Sequence, residues 1–321
     1  MAELKLKKYT SPDTGSEYLG IGEPVWSAIG NTPLIQLQNV TRDLPDEVTI
    51  YAKAEWLNPG GSVKDRPARA IILQAEQDDK LNPGKTLLDA SSGNTALAYA
   101  MIGAARRYDV TLCVPKNANK ELIKTLRAYG AEVILTDPME GSDGAIKKAR
   151  ALYAENPDKY FYADQYSNAA NWLAHYHTTG VEIWNQTHGE VTHFVAGLGT
   201  SGTFVGTGRR LRSYNPDIKL MSVQPDSPFH GLEGLKHMPS VMVPEIYDTE
   251  LADENFEIST EDAQEMTRRL SREEGLFVGI SAGASAAACL QIAKNIERGV
   301  IVTVFPDNGR RYIDEPFWEE S

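Results

Sequence analysis

Residues 192–213 read THFVAGLGTSGTFVGTGRRLRS: a short apolar run, a turn holding three glycines and three hydroxyls, then a segment of helical character. Strand, glycine-rich turn and helix in that order make a parallel β–α step, and such a turn aims backbone N–H groups and hydroxyls at a phosphate. The same turn satisfies the dinucleotide fingerprint GxGxxG through Gly197, Gly199 and Gly202. That fingerprint calls for an acidic residue about 20 positions on, at the next strand end. The chain has Gln224 there, with Asp226 beyond Pro225.

Outward from this unit, apolar runs of strand length alternate with longer amphipathic or Ala-rich segments. The spacing predicts strands at 33–37, 49–55, 86–89, 111–115, 132–135, 160–162, 192–196, 219–224 and 300–305. Helices are predicted at 67–76, 95–107, 120–129, 143–155, 170–187, 202–213, 260–274 and 282–296. The fold class is α/β, with mostly parallel twisted sheets and flanking helices. No repeat or low-complexity linker divides the chain. Turns near 58–61 and 168 set the expected boundaries: a small, mobile substrate-binding domain over 59–168, and a large cofactor-binding domain from 1–58 and 169–321.

At 321 residues with 41% hydrophobic and 24% charged, the chain is long enough for a large core and is neither disordered nor a disulfide scaffold. Its net charge of −12 has the wrong sign for nucleic acid or an anionic membrane. Any anionic ligand must meet a local site. Cys113 and Cys289 stand 176 positions apart, so neither a disulfide framework nor a zinc site is expected. The opening segment, Met1 to Lys8, lacks the apolar run of a secretory signal, and no stretch approaches a membrane span. A cytoplasmic location follows as the expectation.

Three more turns carry chemistry-bearing residues. NPGGSVKDRP, residues 58–67, frees the backbone with two glycines and opens a helix with Lys64; lysine forms a Schiff base with a carbonyl cofactor, although on this segment alone a turn with a solvated Lys-Asp-Arg start is the simpler reading. SSGNT, Ser91 to Thr95, could receive a carboxylate or phosphate, or simply cap a helix. GISAGAS, Gly279 to Ser285, leads into a small-residue helix, the usual mark of close packing. Four strand–turn–helix junctions together point to a site at the carboxyl ends of parallel strands.

In that order, NPGGSVKDR, SSGNT, GLGTSGT and GISAG resemble the β-family of pyridoxal-phosphate enzymes of fold type II, and within it the cysteine synthases. The resemblance runs from IGNTPL at Ile29 through DQYSNAAN at Asp164 to FPDNGRRYI. It implies pyridoxal 5'-phosphate as cofactor, Lys64 as the lysine that holds it and as the catalytic base, and Asn94 as partner of the ring hydroxyl. Gly199, Thr200, Ser201, Gly202 and Thr203 match the phosphate loop, and Ser281 the serine facing the ring nitrogen. Ser91, Ser92, Thr95 and Gln165 match the positions that bind the substrate carboxylate; the family commonly has Thr where Ser91 stands. THFVAGLGTSGTFVGTGRRLR and GLKHMPSVMVPEIYD are most similar to bacterial B-type cysteine synthases, including forms that use O-phosphoserine. Lys236 then falls where such enzymes carry an Arg that meets the leaving group.

The resemblance implies replacement of the O-acetyl or O-phospho group of an activated serine by sulfide or thiosulfate, giving cysteine, in a homodimeric transferase of amino-acid biosynthesis. Metal is not expected, since His175 and His177 are two apart on a helix and no HExxH occurs. Rival readings are cystathionine β-synthase or another β-replacement synthase, a nicotinamide oxidoreductase using the GxGxxG turn, and a binding-only relative, which should lack the lysine. The cystathionine reading is weakened by the lack of an appended regulatory or haem-binding segment.

Overall fold

The computed structural model describes residues 9–10, 17–18 and 23–319; the charged opening segment, Met1 to Lys8, lies outside them. Strands β1 (Tyr9–Thr10) and β2 (Glu17–Tyr18) pair antiparallel. There follow β3 (Leu34–Gln36), β4 (Val48–Ala54), α1 (Asp65–Gln77), β5 (Thr86–Ala90), α2 (Asn94–Arg106), β6 (Val110–Pro115) and α3 (Lys120–Ala128). Next come β7 (Glu132–Thr136), α4 (Gly141–Glu155), β8 (Tyr160–Tyr162), α5 (Ala169–His177), α6 (Thr179–Gln186), β9 (His193–Gly197) and α7 (Gly202–Tyr214). The chain closes with β10 (Lys219–Pro225), β11 (Glu254–Ile258), α8 (Thr260–Glu274), α9 (Ile280–Ala293) and β12 (Gly299–Phe305).

Two sheets organise the molecule. One has the order β11-β10-β9-β12-β4-β3 and is parallel except for β3, which runs antiparallel at its edge; the other, β7-β6-β5-β8, is wholly parallel. Both faces of the larger sheet are covered, so its strands read as apolar runs rather than alternations. Val195, Ile301 and Phe305 pack on the side of α8 and α9, whereas Phe194, Ala196, Val302 and Val304 pack on the side of α6 and α7. The smaller sheet is held between α1 with α2 on one side and α4 on the other.

The sequence reading placed most elements; the two-residue strands β1 and β2 were not expected, and two further departures have local causes. The helix expected over 170–187 breaks at Thr178 (φ −124°, ψ −75°), whose hydroxyl donates back to the Ala174 carbonyl, and the chain restarts as α6. Strand β11 was not expected because ENFEI is mostly charged or polar; it is an edge strand, buried only at Ile258.

Asp65 and Arg66 are buried rather than solvated, contrary to the simpler reading of the Lys64 turn. Arg66 pairs with Glu55 at 2.7 Å and Glu182 at 2.6 Å, and Lys53 pairs with Glu182 at 2.6 Å. This network joins β4, α1 and α6 behind Lys64. Pairing keeps Glu55 and Glu182 ionised against the opposing effect of burial, with Glu182 held at about 2. Cys113 and Cys289 are buried thiols, pushed up to about 11 and about 12 by burial. Among the described residues no helix is long and apolar enough to cross a membrane, and no His, Cys, Asp and Glu group could hold a metal ion.

Candidate active site

A cavity of about 400 Å³ opens between the two sheets, beyond the carboxyl ends of β4, β5, β8, β9 and β12. On the larger sheet β9 leads through α7 to β10 on one side while β12 lies on the other, a reversal of strand order of the kind where α/β sheets bind ligands. Lys64, Ser91, Ser92, Asn94, Thr95, Gln165, Gly199, Thr200, Ser201, Thr203, Lys236 and Ser281 all border this cavity. Gly202, the first residue of α7, does not border it.

The Lys64 turn is fixed from both sides. Val63 N–H donates to the Pro306 carbonyl at 2.8 Å, Ser62 forms a backbone bridge with Asp307, and Lys64 N–H donates to Ser62 Oγ at 3.2 Å. Burial lowers the pKa of the Lys64 amine, with nearby Asp307 acting the other way. A lowered pKa favours the neutral, nucleophilic amine.

Residues 199–203 form a cradle of donors. Ser201 takes a left-handed conformation (φ 69°), and the first N–H groups of α7 have no partner within the helix. The Ser201 hydroxyl is buried without a hydrogen-bond partner. Glycine is required at two places: a Cβ at Gly199 would fall onto the Gly234 carbonyl oxygen, and one at Gly202 onto Asn171 Oδ1. Behind the cradle, Asn171 Nδ2 donates to Thr200 Oγ1 at 3.1 Å and the Gln165 carbonyl at 2.7 Å. His175 Nε2 lies 3.3 Å from Thr203 Oγ1, and burial holds this histidine neutral, near pKa 3.

The opposite wall comes from the smaller sheet. Ser91 Oγ accepts from Gly93 N–H at 3.2 Å, and Gln165 Nε2 donates to the Ala90 carbonyl at 3.0 Å. Asn94, at the start of α2, donates from Nδ2 to Asp307 Oδ2 at 2.7 Å, and its Oδ1 is buried without a partner. Ser281, in the first turn of α9, is 4% exposed. Gly283 lets that helix touch α8, since a Cβ would strike Thr267 Oγ1 and the Ala263 carbonyl oxygen. The GISAG turn therefore serves close packing and the cavity at once. Lys236 N–H donates to the Leu198 carbonyl at 2.8 Å, and its Nζ sits 5.2 Å from the Tyr166 ring centroid.

These residues fit pyridoxal phosphate. The unpaired Ser201 hydroxyl and helix N–H groups suit a phosphate monoester, Asn94 Oδ1 lacks a partner, and a lysine amine stands within the same cavity. The dinucleotide reading lacks its acidic residue: Gln224, at the end of β10, is turned inward, with Nε2 donating to Glu257 at 3.3 Å and Oε1 accepting from Met238 N–H at 3.1 Å. Sequence reasoning missed Asp307 and Tyr312, which also line the cavity. Both lie within FPDNGRRYI, quoted for the resemblance but assigned no role.

A family model described as "Pyridoxal-phosphate dependent enzyme" matches residues 25–307. The chain belongs to the pyridoxal-phosphate-dependent enzymes. Among members of this family, it is 50% identical over 304 residues to a cysteine synthase of Aquifex aeolicus, covering 93% of each chain. It is 41% identical over 293 residues to cysteine synthase B of Pseudomonas aeruginosa, covering 91% of this chain and 96% of that protein. The crystal structure of cysteine synthase (OASS) from Entamoeba histolytica superposes with a TM-score of 0.89 at 34% identity, covering 95% of both chains. This pyridoxal-phosphate-dependent enzyme thus shares its fold across nearly its whole length with fold type II cysteine synthases.

Proposed function

We propose that the protein is a cysteine synthase that replaces the O-acetyl or O-phospho group of an activated L-serine with sulfide to give L-cysteine. The observation that carries this reading is the placing of Lys64, the donor cradle 199–203 and the SSGNT loop around one cavity. Lys64 would hold pyridoxal phosphate, with the cradle on its phosphate, Asn94 on its ring hydroxyl and Ser281 at its ring nitrogen. Once bound, the cofactor supplies an electron sink for loss of a proton at Cα and a leaving group at Cβ.

The chain's own residues do the rest. The Lys64 amine would accept the Cα proton and later return it, and the pKa lowered by burial favours the neutral form that accepts it. Ser91, Ser92, Thr95 and Gln165 supply hydroxyl and amide groups for the substrate carboxylate. Lys236, which borders the same cavity, would meet the leaving group. Residues 59–168, which include the smaller sheet, form the mobile substrate-binding domain in this reading; 1–58 and 169–321 form the cofactor-binding domain. The enzyme works as a homodimer in the cytoplasm.

The test supplies purified protein and pyridoxal phosphate with serine, O-acetylserine or O-phosphoserine, against sulfide, thiosulfate or homocysteine, and identifies the amino acid formed. Cysteine from an O-activated serine and sulfide is expected. Cystathionine as the main product, or no β-replacement with any pair, overturns the reading.

A further inference from the structure

Asp307 is 1% exposed, yet it borders the cavity and joins four parts of the site. Its Oδ2 accepts from Asn94 Nδ2 at 2.7 Å and from the Tyr312 hydroxyl at 2.7 Å. Its backbone carbonyl accepts from Gly279 N–H at 3.1 Å, just before the helix that carries Ser281. It also forms the backbone bridge to Ser62 beside Lys64. Its second oxygen, Oδ1, is buried without a partner and packs against Gly279, where a Cβ would collide with it.

A carboxamide can face a ligand in two orientations that differ by exchange of NH₂ and oxygen. A carboxylate oxygen accepts only, so it admits Asn94 Nδ2 and rejects Asn94 Oδ1. The amide is thereby held with Oδ1 buried and unpartnered and with one Nδ2 hydrogen committed to Asp307. We propose that Asp307, steadied by Tyr312, is a positioning residue that fixes which orientation of the Asn94 amide meets the oxygen on the cofactor ring, and so tunes the bound cofactor. This rests on the reading of Asn94 as partner of the ring hydroxyl. An Asn at 307 would have nearly the same volume but could donate to Asn94 Oδ1, allowing the amide to turn over.

The experiment compares wild type, Asp307→Asn and Tyr312→Phe. It measures the absorption maximum and fluorescence of bound pyridoxal phosphate, its dissociation constant by titration into resolved protein, and the melting temperature. A displaced absorption maximum with at least 5-fold weaker cofactor binding is expected in Asp307→Asn, and a smaller change of the same sign in Tyr312→Phe. If Asp307 served only to tie loops together, Asp307→Asn would melt lower with an unaltered spectrum and affinity, and that result overturns the proposal. Should Asp307→Asn fail to fold, Tyr312→Phe decides alone: a displaced maximum supports the proposal and an unchanged one overturns it. Failure of the wild type to take up pyridoxal phosphate would instead overturn the functional reading itself.

Discussion

Thr95 Oγ1 donates a 2.7 Å hydrogen bond to Gln165 Oε1, joining the first turn of α2 to the loop after β8 across the mouth of β5. Both side chains are buried and border the cavity. With Nε2 also donating to the Ala90 carbonyl, the Gln165 amide is held in one orientation, and in the proposed function its remaining N–H would meet the substrate carboxylate at a lower ordering cost. Gln165→Ala should raise KM for the activated serine by about 10-fold or more, with a smaller change in kcat, because a charged hydrogen bond is worth about 1.5 to 3 kcal/mol. Steady-state kinetics check this; a loss confined to kcat would remove Gln165 from carboxylate binding.

Lys64 should carry the cofactor covalently. The holoenzyme is expected to be yellow, and borohydride reduction followed by peptide mapping should recover pyridoxal phosphate on Lys64. Lys64→Ala should lose at least about 100-fold in turnover, the scale of a positioned general base alone. Label found on a different lysine would refute the assignment.

Ser281→Asp should keep the cofactor and lose most synthase turnover, since a carboxylate facing the ring nitrogen would favour its protonation and alter the electron sink. At 4% exposure the introduced charge would be shielded from water. Turnover equal to wild type would leave Ser281 a packing residue of α9.

Asp89 lies under the SSGNT loop, its Oδ1 accepting from Ala90 N–H at 2.8 Å and its Oδ2 from Gln165 N–H at 3.4 Å. Burial raises its pKa from 3.8 to about 7. Between those values the native state keeps a proton that the unfolded chain has released, so this group's contribution to stability falls as pH rises through the window and is constant above it. Three units at ~1.4 kcal/mol each bound the loss at roughly 4 kcal/mol. Asp65, also raised to about 7 by burial, acts in the same direction. Denaturant unfolding from pH 4 to 8 should show the stability of wild type relative to Asp89→Asn shrinking with pH. A difference that stays constant would mean that Asp89 ionises normally.

The sequence made the cofactor side of the site legible because each junction there has a local signature: glycines that admit close approach, hydroxyls at a helix start, a lysine after a turn. Gly199 and Gly202 show why, since each abuts a backbone carbonyl or a buried amide that tolerates no Cβ. Asp307 and Tyr312 escaped notice because their importance is tertiary. The Asn94–Asp307 pair spans 213 positions, and nothing in FPDNGRRYI announces which distant amide it will hold. The Arg66–Glu55–Glu182 cluster was hidden likewise: a Lys-Asp-Arg run reads as solvated until the turn after β4 that carries Glu55 and the helix α6 that carries Glu182 close over it. Short polar edge strands such as β11 give no hydrophobic period to detect.

In the proposed function the choice of leaving group rests on Lys236. Phosphate carries about two negative charges near neutral pH, so in a chain of net charge −12 it needs a local cation, whereas an acetyl ester needs none. Lys236 is not a solvated loop lysine: its backbone is tied to Leu198, its ammonium lies over Tyr166, and it borders the cavity. Burial lowers its pKa while Asp143 opposes the shift, and an arriving phosphate would favour the charged form further. Lys236→Ala should therefore lower kcat/KM for O-phosphoserine by 10-fold or more, about 1.5 to 3 kcal/mol for a charged hydrogen bond, and leave O-acetylserine little changed. If the lysine only buttresses Tyr166, both substrates should fall together. Measuring both ratios on one preparation separates the two, and equal losses would leave O-acetylserine as the substrate this cavity favours.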